Sequence, residues 1–190
     1  MTAFAAPTEE ERAQDFLWRI NRAVPRAGTL GVFDRSHYED VLIQRVHQMA
    51  PAEEIDRRYG AVVDFERELT ESDTTIIKCM LHISPQEQEE RLQARLDDPT
   101  KYWKYNPGDV DERLHWASYQ EAYEIALERT NTDHGPWFIV PSDKKWYRNL
   151  AVASILLEAL EGLDLGWPSA DFDVEGEKAR LAAASVGAVE

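Results

Sequence analysis

Only one cysteine, Cys79, occurs among the 190 residues. No internal disulfide can form, which suits a reducing cytoplasm. Cys79 sits inside an apolar run and reads as a small buried hydrophobe, not a nucleophile. No apolar run approaches the ~20 residues needed to span a bilayer as a helix. The start of the chain lacks the basic end and apolar core of a secretory signal. The histidines His37, His47, His82, His115 and His134 show no H-E-x-x-H spacing, so no zinc site is assigned. Positive charge is scarce: 21 Lys and Arg stand against 36 Asp and Glu, a formal net charge of −15. That excludes a surface that binds nucleic acid or anionic membrane non-specifically. It leaves room for a local basic groove where arginines cluster against the average.

What is present reads as a globular domain, with 43% hydrophobic residues. Residues 8–24 read as a helix that Pro25 and Gly28 end. Leu30–Phe33 is a run of strand length. A helix is expected from Ser36 to about Met49. Another starts at Pro51, with Ile55, Tyr59, Val62, Val63 and Leu69 inward. Thr74–Ile83 is β-branched and nearly continuous in apolar character, as a strand covered on both faces of a parallel sheet reads. Ser84 and Pro85 open a helix that stops at Pro99. A loop and an aromatic-rich helix follow. Trp137–Val140 is a third strand, and Lys144 to about Gly162 a last helix, with Leu150, Ile155, Leu156 and Leu160 inward. The expected fold is α/β, a parallel sheet with helices on both faces. One domain is expected over residues 1–165, with a flexible tail over 166–190.

Three clusters carry chemistry. The strand ending at Phe33 runs into Asp34, Arg35 and Ser36, and ligands of open parallel sheets bind outside the carboxyl ends of strands. An acid there suits a hydrated Mg²⁺, which takes one or two protein carboxylates and completes its shell with phosphate and water. A neighbouring guanidinium suits a phosphate. An isolated strand ending of this kind reads equally well as Asp34 and Ser36 capping the next helix. Secondly, Arg12, Arg19, Arg22 and Arg26 fall on one helical stripe, with Asp15 the only acid between them. The stripe suits a polyanion; a solvated face paired with glutamates is the other reading. Thirdly, Arg91, Arg95, Lys101, Lys104 and Arg113 surround a Pro- and Gly-containing loop. This suits a mobile lid over phosphates at about 85–115. A surface hairpin is the alternative, because eight acids lie within residues 87–113.

Together these stretches resemble the family-2 polyphosphate kinases. The resemblance rests on D-R-S at Asp34–Ser36, E-Q-x-x-R at Glu87–Arg91, D-P-x-K-x-W-K at Asp98–Lys104 and P-W-x-x-V-P-x-D-x-K at Pro136–Lys145. It covers roughly residues 5–160. It implies a P-loop kinase fold with a helical lid, and phosphoryl transfer between inorganic polyphosphate and nucleotides of the ADP/AMP or GDP/GMP type, with Mg²⁺. By resemblance, Asp34 is the Mg²⁺ ligand and Arg35 contacts the transferring phosphate. Arg19 and Arg22 line the polyphosphate side. Arg91, Arg95, Lys101, Lys104 and Arg113 are the lid's phosphate-binding set. Glu39 after Tyr38 resembles members that accept both mono- and diphosphates.

The family's G-x-D-x-x-G-K-G loop does not occur in this sequence, and "PRAGTLG" and "GLDLG" lack its lysine and spacing. The backbone N–H groups of such a loop cradle phosphates. The sequence therefore implies a chain with half of the family's site, poorly active or inactive alone, from a truncated gene, a mis-called start or a separate half. An exposed sheet edge would favour association with another chain, as a homo-oligomer or with a full-length kinase. A non-catalytic relic or polyphosphate-binding partner subunit is the alternative function.

Overall fold

The computed structural model of the chain describes residues 1–184, so residues 185–190 of the expected tail lie outside the described residues. One compact unit is Met1–Leu156, and a smaller one starts at Leu157. The strands are β1 (Thr2–Ala3), β2 (Phe33–Asp34), β3 (Lys78–His82) and β4 (Trp137–Pro141). The α-helices are α1 (Glu9–Arg12), α2 (Trp18–Asn21), α3 (Ile43–Val46), α4 (Ala52–Glu71), α5 (Pro85–Leu96), α6 (Gly108–Arg113), α7 (Trp116–Thr130), α8 (Lys145–Gly162) and α9 (Val174–Ala183).

The strands pair in parallel, as the strand–helix alternation implies. β1 lies beside β2, with Thr2 opposite Phe33, and β3 beside β4, with Lys78 opposite Trp137. Among the described residues these are two separate two-stranded ladders. β1 escapes a sequence reading because two residues carry no periodicity. It is held by Thr2 N donating to Val32 O at 2.8 Å and Phe4 N to Asp34 O at 3.2 Å.

Two expected helices are broken. Residues 8–24 form α1 and α2 with a turn between, because Asp15 Oδ1 accepts from the Leu17 N–H at 2.9 Å and competes with helical bonding. Thr8 and Glu11 close a capping box at the start of α1. The four arginines therefore do not share one helical stripe. The segment after Ser36 is a 3₁₀ turn, His37–Asp40, then the single turn of α3. Ser36 Oγ accepts from Tyr38 N at 3.3 Å, so the serine acts as a cap. The helices at Pro51 and Pro85 form as expected; α4 has no side-chain cap, whereas α5 is capped by Ser84 Oγ, which accepts from Glu87 N at 3.1 Å.

The core of the first unit lies between that 3₁₀ turn, α4 and α7. Tyr38, Val41, Leu42, Ile55, Tyr59, Val62, Ala122 and Ala126 pack together there. Ile55, Tyr59 and Val62 recur at helical spacing, so α4 presents one apolar stripe. Val63 and Leu69, also expected inward, are only half-buried. No residue of α8 is buried. Leu150, expected inward, is 57% exposed, because nothing among the described residues covers that side of the helix. The stretch expected as a thinning tail carries α9.

Candidate active site

β2 delivers Asp34 to the carboxyl end of a parallel ladder. Both Asp34 and Arg35 are exposed. No side chain among the described residues bonds the Asp34 carboxylate, and Arg35 makes no ion pair there. Arg35 has φ of 62°, the left-handed region that a non-glycine residue occupies only when its surroundings impose it. Glu39 follows in the 3₁₀ turn. Burial raises its pKa, and the positive field of Arg35 partly opposes this. The same two charges act on Tyr123 of α7, whose hydroxyl pKa is raised chiefly by burial. The turn thus faces α7.

Arg19 is nearly covered. It donates from Nη1 to Ala5 O at 2.9 Å and lies 3.7 Å from Asp40 Oδ2. Arg58 approaches Asp40 from α4, also at 3.7 Å. Arg22 is exposed, with its guanidinium 4.6 Å from the Trp18 ring centroid. It lines a cleft of about 380 Å³ between the first residues of the chain and α2.

The lid residues form a second group. Arg91 donates to Glu87 Oε1 at 2.7 Å and to Ser142 O at 2.7 Å. Arg95 bonds Asp109 Oδ2 at 3.1 Å. Lys101 pairs with Asp98 at 2.8 Å. Lys104 lies 4.8 Å from the Trp103 ring centroid. Arg113 donates to Pro85 O at 2.7 Å and to Glu89 Oε2 at 2.6 Å. Arg95 and Arg113 therefore fold the α5–α6 segment on itself, Lys101 pairs locally, Arg91 ties α5 to the loop after β4, and Lys104 is the one of the five without a carboxylate partner among the described residues. No hydrogen bond or ion pair among the described residues joins this group to Asp34 or Arg35.

At the carboxyl ends of β3 and β4 lies a cleft of about 360 Å³, lined by His82, Ser84, Ser142, Lys144, Trp146 and Tyr147 among others. Asp143, also in its wall, accepts from the Ser84 N–H at 2.7 Å, which lowers its pKa. Lys144 and Lys145 make no ion pair among the described residues. Of the two, Lys144 lines the cleft, and its ammonium beside the aromatic faces of Trp146 and Tyr147 suits a phosphorylated aromatic ligand.

Beneath the Asp34 turn is a buried polar cluster that sequence reasoning missed. Glu66 Oε1 accepts from the Tyr38 hydroxyl at 2.8 Å and sits 3.1 Å from His37 Nε2; its Oε2 accepts from Lys78 Nζ at 2.7 Å. Burial pushes the Glu66 pKa up, but the bonds from His37 and Lys78 outweigh it and hold the carboxyl below its ordinary value. A Cβ at Gly135 would lie 3.0 Å from Glu66 Oε2, so the backbone closes directly over the pair. The signal was there: Glu66 continues the 55, 59, 62 stripe of α4, and Lys78 interrupts an apolar strand. Two opposite charges in core patterns call for each other.

Parallel strands alternating with helices, an acid and a guanidinium at a strand's carboxyl end, and a helical insertion carrying five cations before the last strand define a protein of the P-loop kinase-like class. The family model described as Polyphosphate kinase 2 matches residues 1–165, and the chain belongs to that family. The crystal structure of polyphosphate kinase 2 from Arthrobacter aurescens TC1 superposes with a TM-score of 0.94 at 58% identity, over 96% of this chain and 65% of that one. The AMP/ADP-polyphosphate phosphotransferase of Meiothermus ruber is 49% identical over 168 residues, 88% of this chain and 63% of the relative. The ADP-polyphosphate phosphotransferase of Rhodopseudomonas palustris is 38% identical over 178 residues, 87% of this chain and 62% of the relative. The chain thus spans under two thirds of the length of these relatives. No helix among the described residues is long and apolar enough to cross a membrane.

Proposed function

We propose that this chain supplies the metal- and lid-bearing part of a phosphotransferase that moves phosphoryl groups between inorganic polyphosphate and nucleoside mono- or diphosphates. The observation that carries the reading is the pairing of an unpartnered Asp34 carboxylate with the unpaired Arg35 guanidinium at the end of β2. Membership of the family and the activities named for the relatives support it. Asp34 fits Mg²⁺. No group of three or more His, Cys, Asp or Glu among the described residues clusters for a metal, and Mg²⁺ held through one carboxylate plus phosphate and water needs none. Bound there, the ion would neutralise phosphate charge.

Arg35 then orients the transferring phosphate. Arg22, open above Trp18, guides the polyphosphate, while Arg19 supports the turn through Asp40. The lid spans about residues 85–115. Lys101 and Lys104 meet phosphate from its outer loop, and Arg91, Arg95 and Arg113 exchange their present partners for phosphate as it closes. The mono- and diphosphate range follows the name of the Meiothermus ruber relative. No segment of this sequence supplies a G-x-D-x-x-G-K-G backbone cradle, so the chain alone is a weak catalyst.

The exposed side of α8 and Ile139, 59% exposed on β4, favour a second reading, a subunit completed by another polypeptide. Incubation of the purified chain with polyphosphate, Mg²⁺ and AMP or ADP, with the products resolved by chromatography, separates the two. Turnover abolished by Asp34→Asn supports the first reading with the chain sufficient. Turnover that appears only when a second family chain is added supports the second. Polyphosphate-independent exchange between nucleotides would refute both.

A further inference from the structure

The Glu66 cluster has no part in the chemistry above, yet it connects directly to the residues that do. Lys78 Nζ donates to Tyr38 Oη at 3.0 Å and Thr130 O at 2.9 Å, besides Glu66. His37 and Tyr38, consecutive residues immediately behind the Asp34–Arg35–Ser36 turn, are thereby tied to one carboxylate from α4 and one ammonium from β3. Burying such a pair is poorly explained by stability alone, since apolar replacement of buried ion pairs is often neutral or stabilising. A buried hydrogen-bonded network instead specifies one geometry, and here Glu66, Lys78 and the Tyr38 hydroxyl are all bonded, with His37 Nδ1 the one polar atom of these four side chains that lacks a partner among the described residues. The other end of the turn is tied too, by Phe4 N donating to Asp34 O at 3.2 Å. Between these ties stands Arg35 at φ 62°. A strained backbone persists where both flanks over-determine it.

We propose that Glu66 and Lys78 are positioning residues: through His37 and Tyr38 they hold the strained turn from which Asp34 and Arg35 project toward the ligand. Neither touches ligand, since Glu66 is 0% and Lys78 6% exposed. The inference rests on the proposed roles of Asp34 and Arg35, and its test separates the two.

The variant is Tyr38→Phe, which keeps the ring against Trp137 (centroids 4.6 Å apart) and leaves the Glu66–Lys78 pair intact. Amide hydrogen exchange of the full chain is followed at Glu39, Val41 and Leu42, whose N–H groups bond within the turn. Exchange there is expected to rise roughly tenfold while α4 and β3 keep the parent rates. Binding of Mn²⁺ with tripolyphosphate, measured on folded protein, is expected to weaken several-fold. Glu66→Gln, which keeps the volume and removes the charge, should give the same local pattern and serves if Tyr38→Phe does not fold. Unchanged exchange in the turn, or a rise spread equally through α4 and β3, would overturn the proposal and leave the cluster as core packing. A local rise in exchange in a parent that binds no Mn²⁺ with tripolyphosphate supports the positioning geometry and refutes the metal reading alone.

Discussion

Arg91 of α5 donates through Nη2 to the backbone carbonyl of Ser142, 51 positions along the chain, at 2.7 Å. Its Nε is held by Glu87 one turn earlier at 2.7 Å. With the Asp143–Ser84 bond, this fastens the first half of α5 to the loop after β4, at the mouth of the 360 Å³ cleft. Lysine cannot reproduce the fork of a guanidinium. Arg91→Lys is expected to cost about 1–2 kcal/mol, a fall in Tm of roughly 2–8 °C. Polyphosphate affinity should fall with it. Calorimetry and tripolyphosphate titration check both; an unchanged Tm would show that the latch contributes nothing.

Asp34→Asn should behave oppositely. The carboxylate bonds no side chain among the described residues, so the substitution should leave stability within about 0.5 kcal/mol. Mn²⁺ binding in the presence of tripolyphosphate should weaken at least about tenfold, because the amide removes the charge that a hard cation requires. Equal affinity in parent and variant would exclude Asp34 as the ligand.

The first turn of α4 carries a pH-dependent contribution. Hydrogen bonds from Arg57 and Arg58 hold the Glu54 carboxyl at about 2. The folded value lies below the unfolded one. The stabilisation is therefore present above the ordinary carboxylate value and disappears as pH falls through the folded one. Glu54 is substantially solvated, so the contribution is under about 1 kcal/mol and shrinks in salt. Thermal melts of Glu54→Gln should lie below the parent at pH 6 and coincide with it below pH 2; a constant offset would contradict this.

Two apolar substitutions should differ sharply. Val62 is 0% exposed and Leu150 57%. Val62→Ala is expected to cost about 2 kcal/mol. Leu150→Ala should change stability by less than about 0.5 kcal/mol in the isolated chain. A large loss at Leu150 would reveal a covering surface on α8, such as self-association.

Much of the frame was legible in the chain itself. Ser84 and Pro85 fix the start of α5, and the apolar run 74–83 contains β3, although the strand forms only over Lys78–His82, after the β-branched residues at 74–77. The apolar stripe of α4, the D-R-S turn at a strand's end, and the set of motifs in family order pointed to polyphosphate kinase 2. Such features are local: a cap, a period or a motif acts over a few residues. The broken helix at 13–17 was less visible, because a single Asx bond at Asp15 competes with a good helical pattern. The two separate ladders and the exposed side of α8 depend on which neighbours are present, and periodicity does not record that.

The partners of the charges belong to the tertiary structure alone. In the sequence Arg19, Arg91 and Arg113 are alike, cations beside phosphate motifs. In the fold, Arg19 lies against Asp40, Arg91 against Ser142 and Arg113 against Glu89. Glu66 and Lys78, 12 positions apart, meet in the core under the turn that carries Asp34. Sequence alone determined which chemistry is available and where elements start, because propensity and capping are short-ranged. Which charge neutralises which, and hence which remain free for a ligand, was decided by packing, because a buried charge must find its partner across the fold.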